Sequence, residues 1–130
     1  MTPRRIHDQA SLERAWRRLM SPLGFRTPQL WLLFLQGFRP RQLLQTSNVP
    51  LDPVGVDLDR IGVLLDRILI RGESCAFLYA RPGPAGLTAG DLAWARALAR
   101  VSTGGWPVHL ANDDEVRVAA PDDLLLSRPG

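Results

Sequence analysis

The chain contains no lysine; all 16 of its basic residues are arginine. That composition lifts the pI to about 10.4 while the net charge is only +3, so the pI overstates how cationic the protein is. Lysine-free and rich in Leu, Ala, Gly and Pro, the chain has the bacterial-like composition of GC-rich codons. It has one cysteine, which cannot close an internal disulfide, and two histidines, too few for a Cys/His cluster holding structural zinc. No apolar run approaches the ~18 residues of a membrane helix. The longest, Leu30 to Leu35, is strand-sized. Arg4 and Arg5 are not followed by the apolar core of ~7–15 residues that a secretory signal needs. These absences lead us to expect a cytoplasmic protein with no membrane partner.

What is present suits one globular domain. Hydrophobic residues make up 45% and charged residues 22% of 130 positions, which excludes disorder and fibrous repeats. No internal repeat or low-complexity block interrupts the chain. Charge is unevenly placed: residues 1–41 carry a balance of +6 and residues 42–130 one of −3. An arginine-rich first third suits nucleic acid or an acidic partner. The plainer reading is a solvated helix face, with Arg14, Arg17 and Arg18 as the possible basic surface.

Periodicity places the elements. Leu12, Ala15, Trp16, Leu19 and Met20 share one face of a helix over 11–20, with Ser11 as its expected N-cap. Leu30 to Leu35 reads as a buried strand, Gln36 to Pro40 as a turn, and Gln42 to Val49 as a returning strand. Asp57 to Ile70 is the clearest helix, capped by Asp57 and followed by Gly72. Ser74 to Ala80 is a near-continuous apolar run, expected as a central strand covered on both faces. A Pro/Gly-rich loop then leads to a helix opened by Thr88, with Leu92, Ala95, Leu98 and Ala99 inward, ending before Gly104 and Gly105. Pro107 to Ala111 and Val116 to Ala119 flank a hairpin tip, and Asp122 and Asp123 suit a final turn. The expected fold is a three-layer α-β-α domain with a mixed sheet in the order α-β-β-α-β-α-β-β. Residues 1–28 form an amino-terminal extension.

Several residue groups suggest chemistry. Cys75 and His109 would form a thiolate–imidazole pair only as spatial neighbours; a plain buried cysteine is the simpler expectation. Asp113, Asp114 and Glu115 gather charge but lack the spacing of a calcium loop, and read as a solvated hairpin tip. Of the four tryptophans, Trp16 and Trp31 sit at core-facing positions, leaving Trp94 and Trp106 as plausible surface platforms for stacking on bases. Thr88-x-x-Asp91 is a helix-capping pattern in its own right.

Residues 77–91, Phe-Leu-Tyr-Ala-Arg-Pro-Gly-Pro-Ala-Gly-Leu-Thr-Ala-Gly-Asp, resemble the metal-site segment of the JAB/MPN (JAMM) superfamily, its RadC-like branch above all. There a hydrophobic strand runs into His-x-His-Pro, a glycine- and proline-rich loop, and Ser-x-x-Asp opening a helix. Two histidines and the aspartate hold zinc, and the serine positions the bound water. Pro82, Thr88 and Asp91 match the proline, serine and aspartate; Tyr79 and Arg81 stand where the histidines would be. The resemblance extends over roughly residues 30–120. It includes the opening hairpin, the helices at 57–70 and 94–101, and the strand Pro107 to Leu110, in which His109 is not a metal ligand.

The departures from that pattern direct the functional reading. Tyrosine is a poor zinc donor at neutral pH, and a guanidinium repels the metal. The family's upstream general-base glutamate has no counterpart, since no acid lies between Glu13 and Asp52. The resemblance therefore implies a degenerate metal site at Tyr79, Arg81, Thr88 and Asp91, with no cofactor, no catalytic residue and no zinc-dependent hydrolysis. It further implies that Arg81 and Asp91, placed to converge on one cation, meet each other as an ion pair. The leading expectation is a non-enzymatic scaffold or protein-interaction module, with a protein partner or a homodimer. The alternatives are a nucleic-acid-associated accessory using the amino-terminal arginines, and an enzyme of unrecognised type at the 79–91 loop.

Overall fold

Asp8, not Ser11, opens the first helix, α1 (Gln9–Met20). The Ser11 amide donates to the Asp8 carboxylate at 2.8 Å, and the Asp8 amide donates to the Ser11 hydroxyl at 3.1 Å. This reciprocal box satisfies amides that a helix start leaves orphaned, and puts a carboxylate at the positive end of the helix dipole. The structure is a computed structural model that describes residues 5–53, 55–69, 72–102 and 105–119, with backbone alone for 55–58 and 68. Ile70, Gly104, Asp122, Asp123 and the side chains of Asp57, Leu58 and Ile68 lie outside the described residues.

The elements follow in the expected order: β1 (Gln29–Gln36), β2 (Arg39–Ser47), α2 (Gly55–Ile68), β3 (Glu73–Ala80), α3 (Ala89–Val101), β4 (His109–Ala111) and β5 (Val116–Val118). The β1–β2 turn is shorter than expected, because Gly37, at φ 60°, lets the chain reverse within Gly37-Phe38 and leaves Arg39 and Pro40 in β2. Register skips Arg41, so that Phe34 faces Gln42 while Leu35 faces Pro40. A proline without an amide is tolerated here because β2 is an edge strand. Helix α2 starts at Gly55, which puts Asp57 inside the helix instead of at its cap.

The five strands form one mixed sheet in the order β2-β1-β3-β4-β5, parallel only between β3 and β4. Helix α1 covers one face, packing Leu12, Ala15, Trp16 and Met20 on Leu33, Leu35, Leu78 and Ala80. Leu19, on the same stripe, is 43% exposed where the sheet does not cover it. Helices α2 and α3 cover the other face, through Ile61, Leu65, Trp94, Ala95 and Leu98 on Leu30, Phe34, Phe77 and Tyr79. This is the expected three-layer arrangement, with β3 buried on both sides from Cys75 to Ala80.

Helix α3 is turned relative to the expected face. Asp91, Trp94, Ala95, Ala97 and Leu98 are buried, and Ala99 is exposed. Trp94 is thus no surface platform but 1% exposed, its ring stacked on Tyr79 at 5.3 Å and 16°. Burying an indole removes roughly 150–250 Å² from water, far more than an alanine methyl can, so the tryptophan decides which face turns inward. Its N–H donates to the Pro50 carbonyl at 2.9 Å. Trp16 is fully buried, as expected. Trp31 and Trp106 are half-buried, the latter donating to the Ser74 hydroxyl at 2.8 Å.

Candidate functional site

The corner where β3 ends and α3 begins brings Tyr79, Arg81, Thr88 and Asp91 together. β3 ends at Ala80, and the Arg81 amide carries on the strand's parallel ladder by donating to the Ala111 carbonyl at 3.1 Å. This aims the Arg81 side chain under the loop and toward α3. Thr88 caps that helix: its hydroxyl accepts from the Asp91 amide at 3.0 Å, and Asp91 Oδ2 accepts from the Thr88 amide at 3.0 Å. The capping pattern read in the sequence is therefore present, and it orients the Asp91 carboxylate back toward the strand.

Arg81 and Asp91 meet there as a bidentate ion pair. Arg81 Nε donates to Asp91 Oδ1 at 2.9 Å and Nη2 donates to Oδ2 at 3.0 Å. The remaining guanidinium hydrogens go to loop carbonyls: Nη1 to Pro82 and Pro84, each at 3.1 Å, and Nη2 to Gly86 at 2.8 Å. One side chain thus holds the whole 82–86 loop around it. Arg81 is 6% and Asp91 3% exposed, so the corner is filled and not an open cleft. A planar fork that is bonded on every side fixes direction as well as distance.

Tyr79 packs beside this pair, 1% exposed. Its hydroxyl has no hydrogen-bond partner among the described residues. Burial foremost, and then the Asp91 carboxylate, push its phenol up to about 12, so it stays protonated. A protonated phenol and a carboxylate already bridged to a guanidinium do not suit zinc. No group of three or more His, Cys, Asp or Glu among the described residues is gathered for a metal ion.

The other candidates resolve differently. Cys75 faces α2 and α3, whereas His109, paired with Leu78 across the parallel ladder, faces α1; the sheet itself separates them. Burial pushes the Cys75 thiol up to about 12, which removes its nucleophilicity. Burial also pushes His109 down to about 4, with Glu13 and Arg17 of α1 acting in opposite directions. Asp113 and Asp114 do more than solvate a hairpin tip. The Gly83 amide donates to Asp113 Oδ2 at 2.8 Å, the Ala85 amide to Asp114 Oδ2 at 2.7 Å, and the Phe25 amide to Asp113 Oδ1 at 3.0 Å. The Gly83 and then the Phe25 amide hold the Asp113 carboxyl below its usual range. Asn112 shapes the tip by accepting from the Asp114 and Glu115 amides, each at 2.9 Å. Sequence reading missed this clasp, because its partners lie 29 and 30 residues apart with no local signal.

Arg14, Arg17 and Arg18 are all exposed on α1, with one i,i+4 approach of Arg17 to Glu13 at 3.8 Å. No helix among the described residues is long and apolar enough to cross a membrane. Comparison with protein-family models, curated proteins and solved structures finds no match to this chain.

Proposed function

We propose that the chain is a non-enzymatic interaction module, a RadC-like JAB core in which the Arg81–Asp91 ion pair has taken the place of a metal centre. It serves a protein partner or a second copy of itself. The observation that carries this reading is the saturation of the 81–91 corner: each guanidinium N–H of Arg81 is bonded to Asp91 or to a loop carbonyl. A corner so occupied holds the strand, loop and helix in register and leaves neither Arg81 nor Asp91 exposed for a substrate to engage. The strand–loop–helix placement of Pro82, Thr88 and Asp91 supports the resemblance.

The test is metal content and self-association of untagged protein. Zinc should be well below one per chain, and added zinc should leave the melting temperature unchanged, since nothing in the folded state would bind it better than the unfolded chain. Near-equimolar, chelator-resistant zinc would overturn the reading. Sedimentation over a range of concentrations distinguishes a homodimer from a monomer awaiting a different protein.

The exposed guanidiniums of Arg14, Arg17 and Arg18 favour one second reading, a nucleic-acid accessory. Binding of that kind weakens steeply as salt rises. It would be lost when all three are replaced by glutamine.

A further inference from the structure

The face of the sheet opposite α1 is not fully covered. Between β2, α2 and the loop that joins them lies a cavity of about 510 Å³, within the range of ~300–1,000 Å³ typical of small-ligand sites. The buried Leu30, Leu32, Ile61 and Trp94 and the half-buried Leu44 and Leu64 line it. These two leucines and Val49 pack on the core yet remain only half-buried, so the fold leaves their apolar surface in contact with water. Tyr79, Arg81 and Asp91 do not line it; the cavity and the ion-paired corner lie on either side of the Trp94–Tyr79 stack.

The rim is held in place before any ligand arrives. The Val49 amide donates to the Pro28 carbonyl at 3.3 Å, and the Trp94 indole N–H donates to the Pro50 carbonyl at 2.9 Å. Asn48, which immediately precedes these two anchored residues, adopts φ 60°, a left-handed conformation that asparagine tolerates better than most side chains. Such anchoring reduces the ordering cost of binding.

Charge selects the class of occupant. Arg60 is exposed at the rim and takes part in no ion pair among the described residues. Among the described residues no acid lines the cavity, and its other polar groups, Gln45, Thr46, Ser47 and Asn48, are neutral. One guanidinium flanked by neutral donors matches a monoanionic head; a phosphate dianion would lack its second cation. We infer that this cavity binds a small carboxylic acid with an apolar body, the body lying on Leu44, Leu64 and Trp94 and the carboxylate meeting Arg60. This goes beyond the proposed function and does not depend on it.

The experiment is an amide and indole NMR titration of the full chain with octanoate and, separately, with the neutral analogue octanol. Octanoate should saturably shift the Trp94 indole and the amides of residues 44–50. Arg60→Gln, a change at an exposed position, should weaken octanoate by about tenfold or more while leaving octanol unaffected. Leu64→Trp, which fills the cavity, should weaken both. The inference is overturned if octanoate gives no saturable shift up to its solubility limit, if its shifts map elsewhere, or if Arg60→Gln weakens both probes alike.

Discussion

At the scale of single residues, the buried corner makes opposite demands on two neighbours. Gly83 sits at φ 110°, and a Cβ built on it would lie 2.9 Å from Arg81 Nη1. Gly83→Ala should therefore destabilise the protein by about 1–3 kcal/mol, from the left-handed backbone and the displaced guanidinium together. Urea denaturation would measure it, and a neutral result would mean that the guanidinium is not held where it stands. Tyr79 is the converse case. Its hydroxyl is buried without a partner among the described residues, so Tyr79→Phe should be neutral or stabilising by about 1 kcal/mol. A loss of stability on that change would show the hydroxyl to be engaged.

At the scale of elements, α3 shows local propensity losing to tertiary contact. Gly90 lies in its first turn, and glycine-to-alanine changes in helices ordinarily gain about 1 kcal/mol. Here a Cβ would lie 2.5 Å from the Leu51 carbonyl oxygen, which is backbone and cannot swing aside. Gly90→Ala should thus lower the melting temperature, and a rise would mean that α3 and the 50–53 loop are not so closely apposed. Helix α1 should behave in the opposite way. Replacing Arg14, Arg17 and Arg18 with glutamine should change stability by no more than ~0.5 kcal/mol, because all three are exposed and the Arg17–Glu13 approach is long.

These elements also show where sequence reading succeeds. Strand β3 was legible because a run of apolar residues has no other place than a sheet covered twice. The Thr88 cap was legible because its partners are three residues apart; the Arg81–Asp91 pair was expected only through the resemblance, which set both residues on one cation. Trp94 was misplaced because α3 carries two overlapping apolar stripes, of which the one bearing the indole has more surface to bury against the sheet. The Asp113–Asp114 clasp and the cavity beside Arg60 are assembled from distant segments, so neither leaves a pattern in the chain.

At the scale of the whole molecule, stability should depend on pH through His109. Its pKa in the folded state is about 4, against an ordinary value of 6.5. The unfolded chain therefore takes up the proton first. Stability should be fully present above pH ~6.5 and fall as pH drops toward ~4, by up to about 1.4 kcal/mol per pH unit. His109→Leu should flatten that slope in denaturation curves at neutral and mildly acidic pH. The central claim, that the 81–91 corner is a structural clasp and not a metal or catalytic centre, is reached most directly by a double-mutant cycle. Arg81→Ala and Asp91→Ala each leave a buried partner unpaired and should each cost about 3–5 kcal/mol. The double variant should cost less than their sum by about 2–3 kcal/mol, with and without an equivalent of zinc. Additive losses, or zinc that restores the Arg81→Ala variant to wild-type stability, would contradict it.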